Sequence, residues 1–216
     1  MKKRVIFYFD GFNFYNGLRD KAKVDISWKR FYWIDFYQLC YQFIDSNEFE
    51  IVKIKYFTAP PLNQYKSQRQ GTLLAANRLL HPDVFEVIQG KYYDRPIDCP
   101  NCNQRFFKPE EKRTDVNISV QLIGDCALNK VDVLNLISAD SDLVPPVEFI
   151  KQYYPVKKIK IYFPPGRKST DLLNTNRSST KFLENSKTRF ENSIMERVIS
   201  LNGKTYTIPQ KWEQYL

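Results

Sequence analysis

At 216 residues, with 43% hydrophobic and 15% aromatic residues, the chain is long enough for one sizeable core and falls outside the disordered and fibrous classes. No apolar run approaches the roughly 20 residues that cross a bilayer, so no membrane partner is expected. The net charge of +9 is uneven: residues 151–216 hold 13 Lys and Arg against 5 Asp and Glu, while residues 1–150 hold 20 against 19.

The chain opens MKKRVIFYFDGFN. Its apolar run, Val5 to Phe9, is shorter than the ~7–15 residues of a signal-peptide core, so it is expected to be the first strand, 4–9, of a cytoplasmic protein. A short helix is expected around residues 13–19. Further strands are predicted at 50–57, 83–89, 131–138 and 157–163, with helices at 34–45, 63–80, 114–128 and 143–153 between them. This alternation predicts βαβ units and a mainly parallel sheet covered on both faces. Residues 90–113 are polar and contain Pro, which predicts an irregular inserted loop or lid. Residues 164–190, rich in Ser, Thr, Asn and Arg, predict a second mobile or substrate-facing segment. The closing LNGKTYTIPQ pattern predicts a small hairpin. The basic last third contains aromatics such as Tyr153, Tyr162, Phe182 and Trp212. That mixture suits a nucleic-acid backbone with base stacking, or a solvated face over a core.

Cys99 and Cys102 lie in DCPNCNQ and resemble half of a zinc site. Zn²⁺ would need two more ligands, and only His81, Cys126 and Cys40 are available; the expectation is a reduced thiol pair in a surface loop.

The aspartates carry the chemistry. Asp10 ends the first strand, and Asp140 and Asp142 follow the strand at 131–138. Parallel α/β sheets bind ligands beyond the carboxyl ends of their strands, so these residues belong at one edge. In EKRTDVNIS, Thr114 can cap a helix and leave Asp115 in its first turn. Four aspartates are thus expected to converge, with Asn13 adding a neutral oxygen. Crowded carboxylates repel and lose solvation unless a cation compensates, and an all-oxygen set suits Mg²⁺ or Mn²⁺. Such a site supports attack of water on a phosphodiester. The plainer reading is that each Asp merely caps the next helix. Asp125 does not share a face with Asp115, and Asp132 is expected at the opposite end of the sheet.

The motifs FDGFN (Asp10, Asn13), EKRTDVNI (Lys112, Asp115) and LISADSDLVPPV (Ser138, Asp140, Asp142) together resemble the NYN-domain branch of the PIN-like nuclease superfamily over residues 4–163. The resemblance implies a Rossmann-like α/β/α sandwich and a metal-dependent ribonuclease, expected to be endonucleolytic on single-stranded or structured RNA, whose ion is held by Asp10, Asp115, Asp140 and Asp142. On this reading residues 1–165 form the nuclease domain, with its inserted loop at 90–113. Residues 166–216 form a basic extension packed on the same domain. RNA contacts are expected at Lys112, Arg113, Arg167, Lys168 and Arg177, and a homo-oligomer is left open. Two positions depart from the family. Ala139 replaces a common glycine, which would strain the turn if φ were positive there. Leu143 replaces an aromatic residue yet can still plug the core.

A haloacid-dehalogenase-like phosphatase would want a second Asp where Phe12 stands, and a Toprim-type domain a Glu where Asp10 stands. The rival from another class is a nucleic-acid-binding protein that keeps the PIN-like fold without cutting.

Overall fold

The computed structural model describes residues 1–102 and 104–216. The first half contains β1 (Lys3–Asp10), α1 (Gly11–Val24), a 3₁₀ segment (Ile26–Tyr32), α2 (Phe36–Tyr41), β2 (Phe49–Thr58), α3 (Gln64–Leu80) and β3 (Phe85–Gln89). An antiparallel ribbon follows, β4 (Lys91–Asp98) with β5 (Arg105–Lys112). Then come α4 (Thr114–Ala127), β6 (Val133–Ile137), α5 (Val144–Tyr153), β7 (Lys158–Phe163), α6 (Thr170–Asn176), β8 (Thr180–Phe182) and α7 (Lys187–Glu191). The hairpin β9 (Val198–Leu201) with β10 (Lys204–Thr207), and α8 (Gln210–Glu213), close the chain.

Six strands make one parallel sheet in the order β3-β2-β1-β6-β7-β8. With the ribbon set aside, this is the order of a Rossmann-like doubly wound sheet, whose direction of winding reverses between β1 and β6. β1 alternates accordingly: Val5, Phe7 and Phe9 enter one core with α1, α2 and α3, while Ile6 and Tyr8 enter a second with α4, α5 and α6. Burial on both faces is why β1 reads as a continuous apolar run rather than an alternating one. The architecture is a three-layer α/β/α sandwich.

The C-terminal third is built into the first layer, since Leu183, Phe190, Met195, Ile199, Ile208 and Trp212 are all buried in that core. Residues 164–190 therefore form α6, β8 and α7 rather than a mobile segment. Their buried apolar side chains, Leu172, Leu183 and Phe190, are widely spaced in the sequence. Within 90–113, Lys91–Asp98 and Arg105–Lys112 likewise pair as a ribbon rather than forming an irregular loop. Both faces of β4 are largely exposed, so it is sustained by backbone pairing and surface contacts such as the Arg105–Asp98 ion pair rather than by a buried apolar face.

Helix α1 is longer than the sequence predicts because Gly17, a weak helix former, sits mid-helix for a packing reason. A Cβ there would lie 2.6 Å from the Pro165 carbonyl oxygen. Helix α2 is shorter than expected: the Asp35 side chain accepts from the Tyr37 and Gln38 N–H groups and starts the helix there. The expected C-terminal hairpin is present, with Asn202 and Gly203 at positive φ in its turn.

One buried ion pair ties α4 to the sheet. Lys55 Nζ of β2 lies 2.6 Å from Asp125 Oδ2, which also accepts from the Tyr8 hydroxyl at 2.8 Å. Asp125 thus anchors the helix that begins at Asp115. At the far end of the sheet, Asp132 pairs with Arg4 at 2.9 Å, as its position opening a strand predicts.

Candidate metal centre

Asp10 ends β1 and is 2% exposed. Its Oδ1 accepts from the Asn13 N–H at 3.0 Å, and its Oδ2 accepts from Asn13 Nδ2 at 2.7 Å and Ser138 Oγ at 2.8 Å. Ser138 directly follows β6, whose Ile137 is in register with Phe9, so the two strand ends meet at the winding reversal. A carboxylate has about four lone-pair sites; with three used, Asp10 is fixed in orientation and keeps little more than one for a ligand. Burial pushes its carboxyl pKa up, the Asn13 and Ser138 hydrogen bonds pull it down, and Asp140 adds a further upward push.

The α1 start is pressed onto β2. A Cβ on Gly11 would lie 2.6 Å from both the Phe57 carbonyl oxygen and the Tyr56 ring. That close approach is the physical reason for the Asp-Gly-Phe-Asn pattern.

Asp140 begins the 3₁₀ turn Ser141–Leu143. Its N–H donates to Ser138 Oγ at 3.0 Å, and its Oδ1 accepts from the Asp142 N–H at 3.0 Å. Ala139 is not among the positive-φ residues, so alanine carries no strain there, and Leu143 is fully buried in the second core. Asp10 and Asp140 are therefore caps as well as candidate ligands, and the two readings coexist.

Asp115 stands in the first turn of α4, but Thr114 is not the cap. Arg113 occupies that place with φ 81 and no side-chain cap bond. The Glu111 carboxylate, at the end of β5, instead accepts from the Thr114 N–H at 3.2 Å and from its hydroxyl. Glu111 is the site-shaping residue that sequence reasoning missed, because its role depends on the ribbon bringing β5 to the helix start.

Asp10, Asp115 and Asp140 each offer one oxygen within 4.8 Å of the others. The Asp115 carboxyl is pushed up to about 6, by burial first and then by the charges of Asp140, Asp10, Glu111 and Asp142. Among the described residues no Lys or Arg forms an ion pair with any of the three. Asp142 is brought near enough to act on Asp115 electrostatically but is exposed and outside the group of three. Its backbone, bonded to Asp140, turns into the 3₁₀ segment.

The expected cationic residues are scattered. Lys112 pairs with Glu110 at 2.9 Å, and the Arg113 guanidinium lies 5.7 Å from the Tyr93 ring centre. Arg167 is paired with Asp20. Lys168 and Arg177 are exposed, the latter bonded to Asn174. Cys99 and Cys102 sit at the tip of the ribbon, while Cys40 and Cys126 are buried in opposite cores. His81 Nε2 lies 2.9 Å from Asp35. Among the described residues, none of these three groups with Cys99 and Cys102 as a metal-ligand set. Among the described residues, no helix is long and apolar enough to cross a membrane.

No family model matches the chain. It is 27% identical over 187 residues to 6-hydroxy-3-succinoylpyridine 3-monooxygenase HspA of Pseudomonas putida (strain DSM 28022 / S16), covering 71% of this chain and 57% of that protein. The chain thus spans little more than half the length of that curated relative. A protein of unknown function from Vibrio parahaemolyticus RIMD 2210633, solved by crystallography, is similar over 84% of this chain and 91% of that one, with a TM-score of 0.55 and 24% identity. That likeness carries the fold alone.

Proposed function

We propose that this chain is a Mg²⁺- or Mn²⁺-dependent endoribonuclease acting on single-stranded or structured RNA. The observation that carries the reading is the convergence of Asp10, Asp115 and Asp140 at the winding reversal of the sheet, within 4.8 Å of one another, with no ion pair to any of them among the described residues. An all-carboxylate set of this kind fits a hard divalent cation. Asp10, Asp115 and Asp140 would hold it, with Asp142 adding negative potential from the rim. When bound, such an ion supplies charge stabilisation on the phosphodiester oxygens and a more acidic attacking water.

The chain's own groups do the positioning. Asn13 and Ser138 fix both oxygens of Asp10, and Lys55 with Asp125 holds α4, hence Asp115, against the sheet. In the metal-free state burial and the neighbouring carboxylates push the Asp115 carboxyl up to about 6, and a bound divalent cation would reverse that push and hold it ionised as a ligand. RNA rather than DNA rests on the NYN-domain resemblance of the three motifs. The monooxygenase activity named for the Pseudomonas putida relative belongs to that longer protein. In this chain the β1–α1 turn presents the Asp10 carboxylate where a dinucleotide-binding turn offers a pyrophosphate glycines and backbone N–H groups.

The test is incubation of purified protein with labelled single-stranded RNA and DNA in Mn²⁺, Mg²⁺ or chelator. Cleavage of RNA that chelator abolishes is expected. Binding without cleavage in either metal would overturn the enzyme reading in favour of a non-catalytic nucleic-acid-binding protein.

A further inference from the structure

Beside the acidic group lies a cavity of about 260 Å³ with the opposite character. Helix α1 contributes Phe12, Tyr15 and Arg19 to it, and α3 contributes Lys66, Arg69 and Gln70. Each set follows the three-to-four-residue spacing of one helix face. Tyr92 of β4 and Trp212 of α8 complete its walls, and no carboxylate lines it among the described residues. Arg19, Lys66 and Arg69 form no ion pair with any described carboxylate, unlike Arg167, Lys21 or Lys23 nearby in the fold. Phe12 and Tyr92 meet edge-on with ring centres 6.2 Å apart, so the ribbon forms one side of the cavity. Gln70 donates Nε2 to Thr58 at 2.8 Å, which fixes its amide and leaves Oε1 as an acceptor. Gly11, next to Asp10, is part of the same wall, so cavity and carboxylates are contiguous.

We propose that this cavity is the subsite for one unpaired nucleotide of the substrate strand: its base stacks among Phe12, Tyr92 and Tyr15, and its phosphate is met by Arg19, Lys66 and Arg69. The placement of the scissile phosphate at the neighbouring carboxylates rests on the nuclease reading above. Aromatic faces with unpaired cations are the recurring means of holding single strands, and the volume is near the lower end of ligand pockets, enough for a base but not a base pair. A chain of carboxylates would repel an approaching phosphate, and the adjacent cations offset that repulsion. The subsite therefore selects single-stranded regions, and a structured RNA would be cut only where a base is unpaired.

The experiment reads tryptophan fluorescence in chelator, where cleavage does not intervene. All three tryptophans are buried in the first core, and of them Trp212 also lines the cavity. Oligoadenylate RNA, oligodeoxyadenylate and a blunt RNA duplex are titrated in turn. Both single strands are expected to quench, with the duplex quenching far less and the Trp212→Phe variant insensitive. Tyr92→Ala and Arg69→Ala should each weaken single-strand affinity by about tenfold. They should raise KM more than they lower kcat and leave the Mn²⁺-induced rise in Tm intact. The pair Arg19→Gln and Lys66→Gln, both exposed side chains, guards against misfolding of the others. Quenching by RNA alone would assign the subsite to ribonucleotides, and quenching by both strands to any unpaired nucleotide; either supports it. If wild type cuts RNA but these variants bind and cut like wild type, the subsite is overturned while the nuclease reading stands. Variant-sensitive quenching in a protein that never cleaves leaves the subsite standing and removes the nuclease. Equal quenching by the duplex overturns the selection of unpaired bases.

Discussion

Replacing Asp140 with Asn removes one charge from the acidic group while keeping volume and the cap on the Asp142 N–H, since Asn caps about as well as Asp. The Asp115 carboxyl rises from 3.8 to about 6. At about 1.4 kcal/mol per pKa unit, its ionisation costs the metal-free fold roughly 3 kcal/mol. The side chain is only half-buried, so solvent screening brings this to roughly 1.5 kcal/mol. Asp140 is the largest cause after burial, so its share is under half of this, on the order of 0.5 kcal/mol. Metal-free Asp140→Asn should therefore melt about 1–2 °C higher than wild type near neutral pH. The folded protein holds the Asp115 proton more tightly than the unfolded chain. This contribution to stability is present below about pH 4 and is lost as pH rises through about 6. The advantage of the variant should accordingly shrink in melts below about pH 4.5. Mn²⁺ at about a hundredfold its Kd should stabilise wild type by about 2.7 kcal/mol, and the variant much less. A variant that melts lower than wild type in chelator, or gains the same Tm from Mn²⁺, would refute the reasoning.

Three further outcomes are expected. Lys55→Ala leaves Asp125 buried with only the Tyr8 hydroxyl and should cost about 3–5 kcal/mol in denaturant unfolding; a cost under about 1 kcal/mol would show that the pair does not anchor α4. Gly11→Ala forces a Cβ against the Phe57 carbonyl oxygen and should cost about 1–3 kcal/mol while weakening the Mn²⁺ response, because α1 must shift and carry Asn13 off Asp10. Lys168→Ala with Arg177→Ala should weaken RNA binding across all sequences and flatten its salt dependence. Adding Arg167→Ala should contribute less, since Asp20 already pairs with it; salt-independent affinity of the wild type would show the basic segment to be solubilising only.

The sheet and the ends of its strands were legible because the relevant segments are buried on both faces or cleanly punctuated. Val5 to Phe9 closing on Asp10, and Val133 to Ile137 closing on Ser138, leave few alternatives. The ribbon was not legible, since β4 is exposed on both faces and carries no buried alternation to read. β8 was missed because three residues at a sheet edge have no periodicity. Within the site, sequence spacing placed Asp10, Asp115 and Asp140 together but could not separate Asp140 from Asp142. That distinction comes from the backbone of a single 3₁₀ turn. Glu111 was hidden for the reason that the ribbon was: only the path of β5 brings it to the start of α4. Arg19, Lys66 and Arg69 lie on two helices far apart in the chain, and they meet only because α1 and α3 share one face of the sheet.

The central claim is that Asp10, Asp115 and Asp140 act as one divalent-cation site for RNA cleavage. It is tested most directly by single-turnover cleavage of labelled single-stranded RNA in Mn²⁺ by three variants, Asp10→Asn, Asp115→Asn and Asp140→Asn. Each is first shown to be folded by its circular dichroism. The account predicts that every variant loses at least about a hundredfold in rate, with Asp142→Asn losing less. Wild-type cleavage by any one of the three, or cleavage by the wild type in excess chelator, would contradict it.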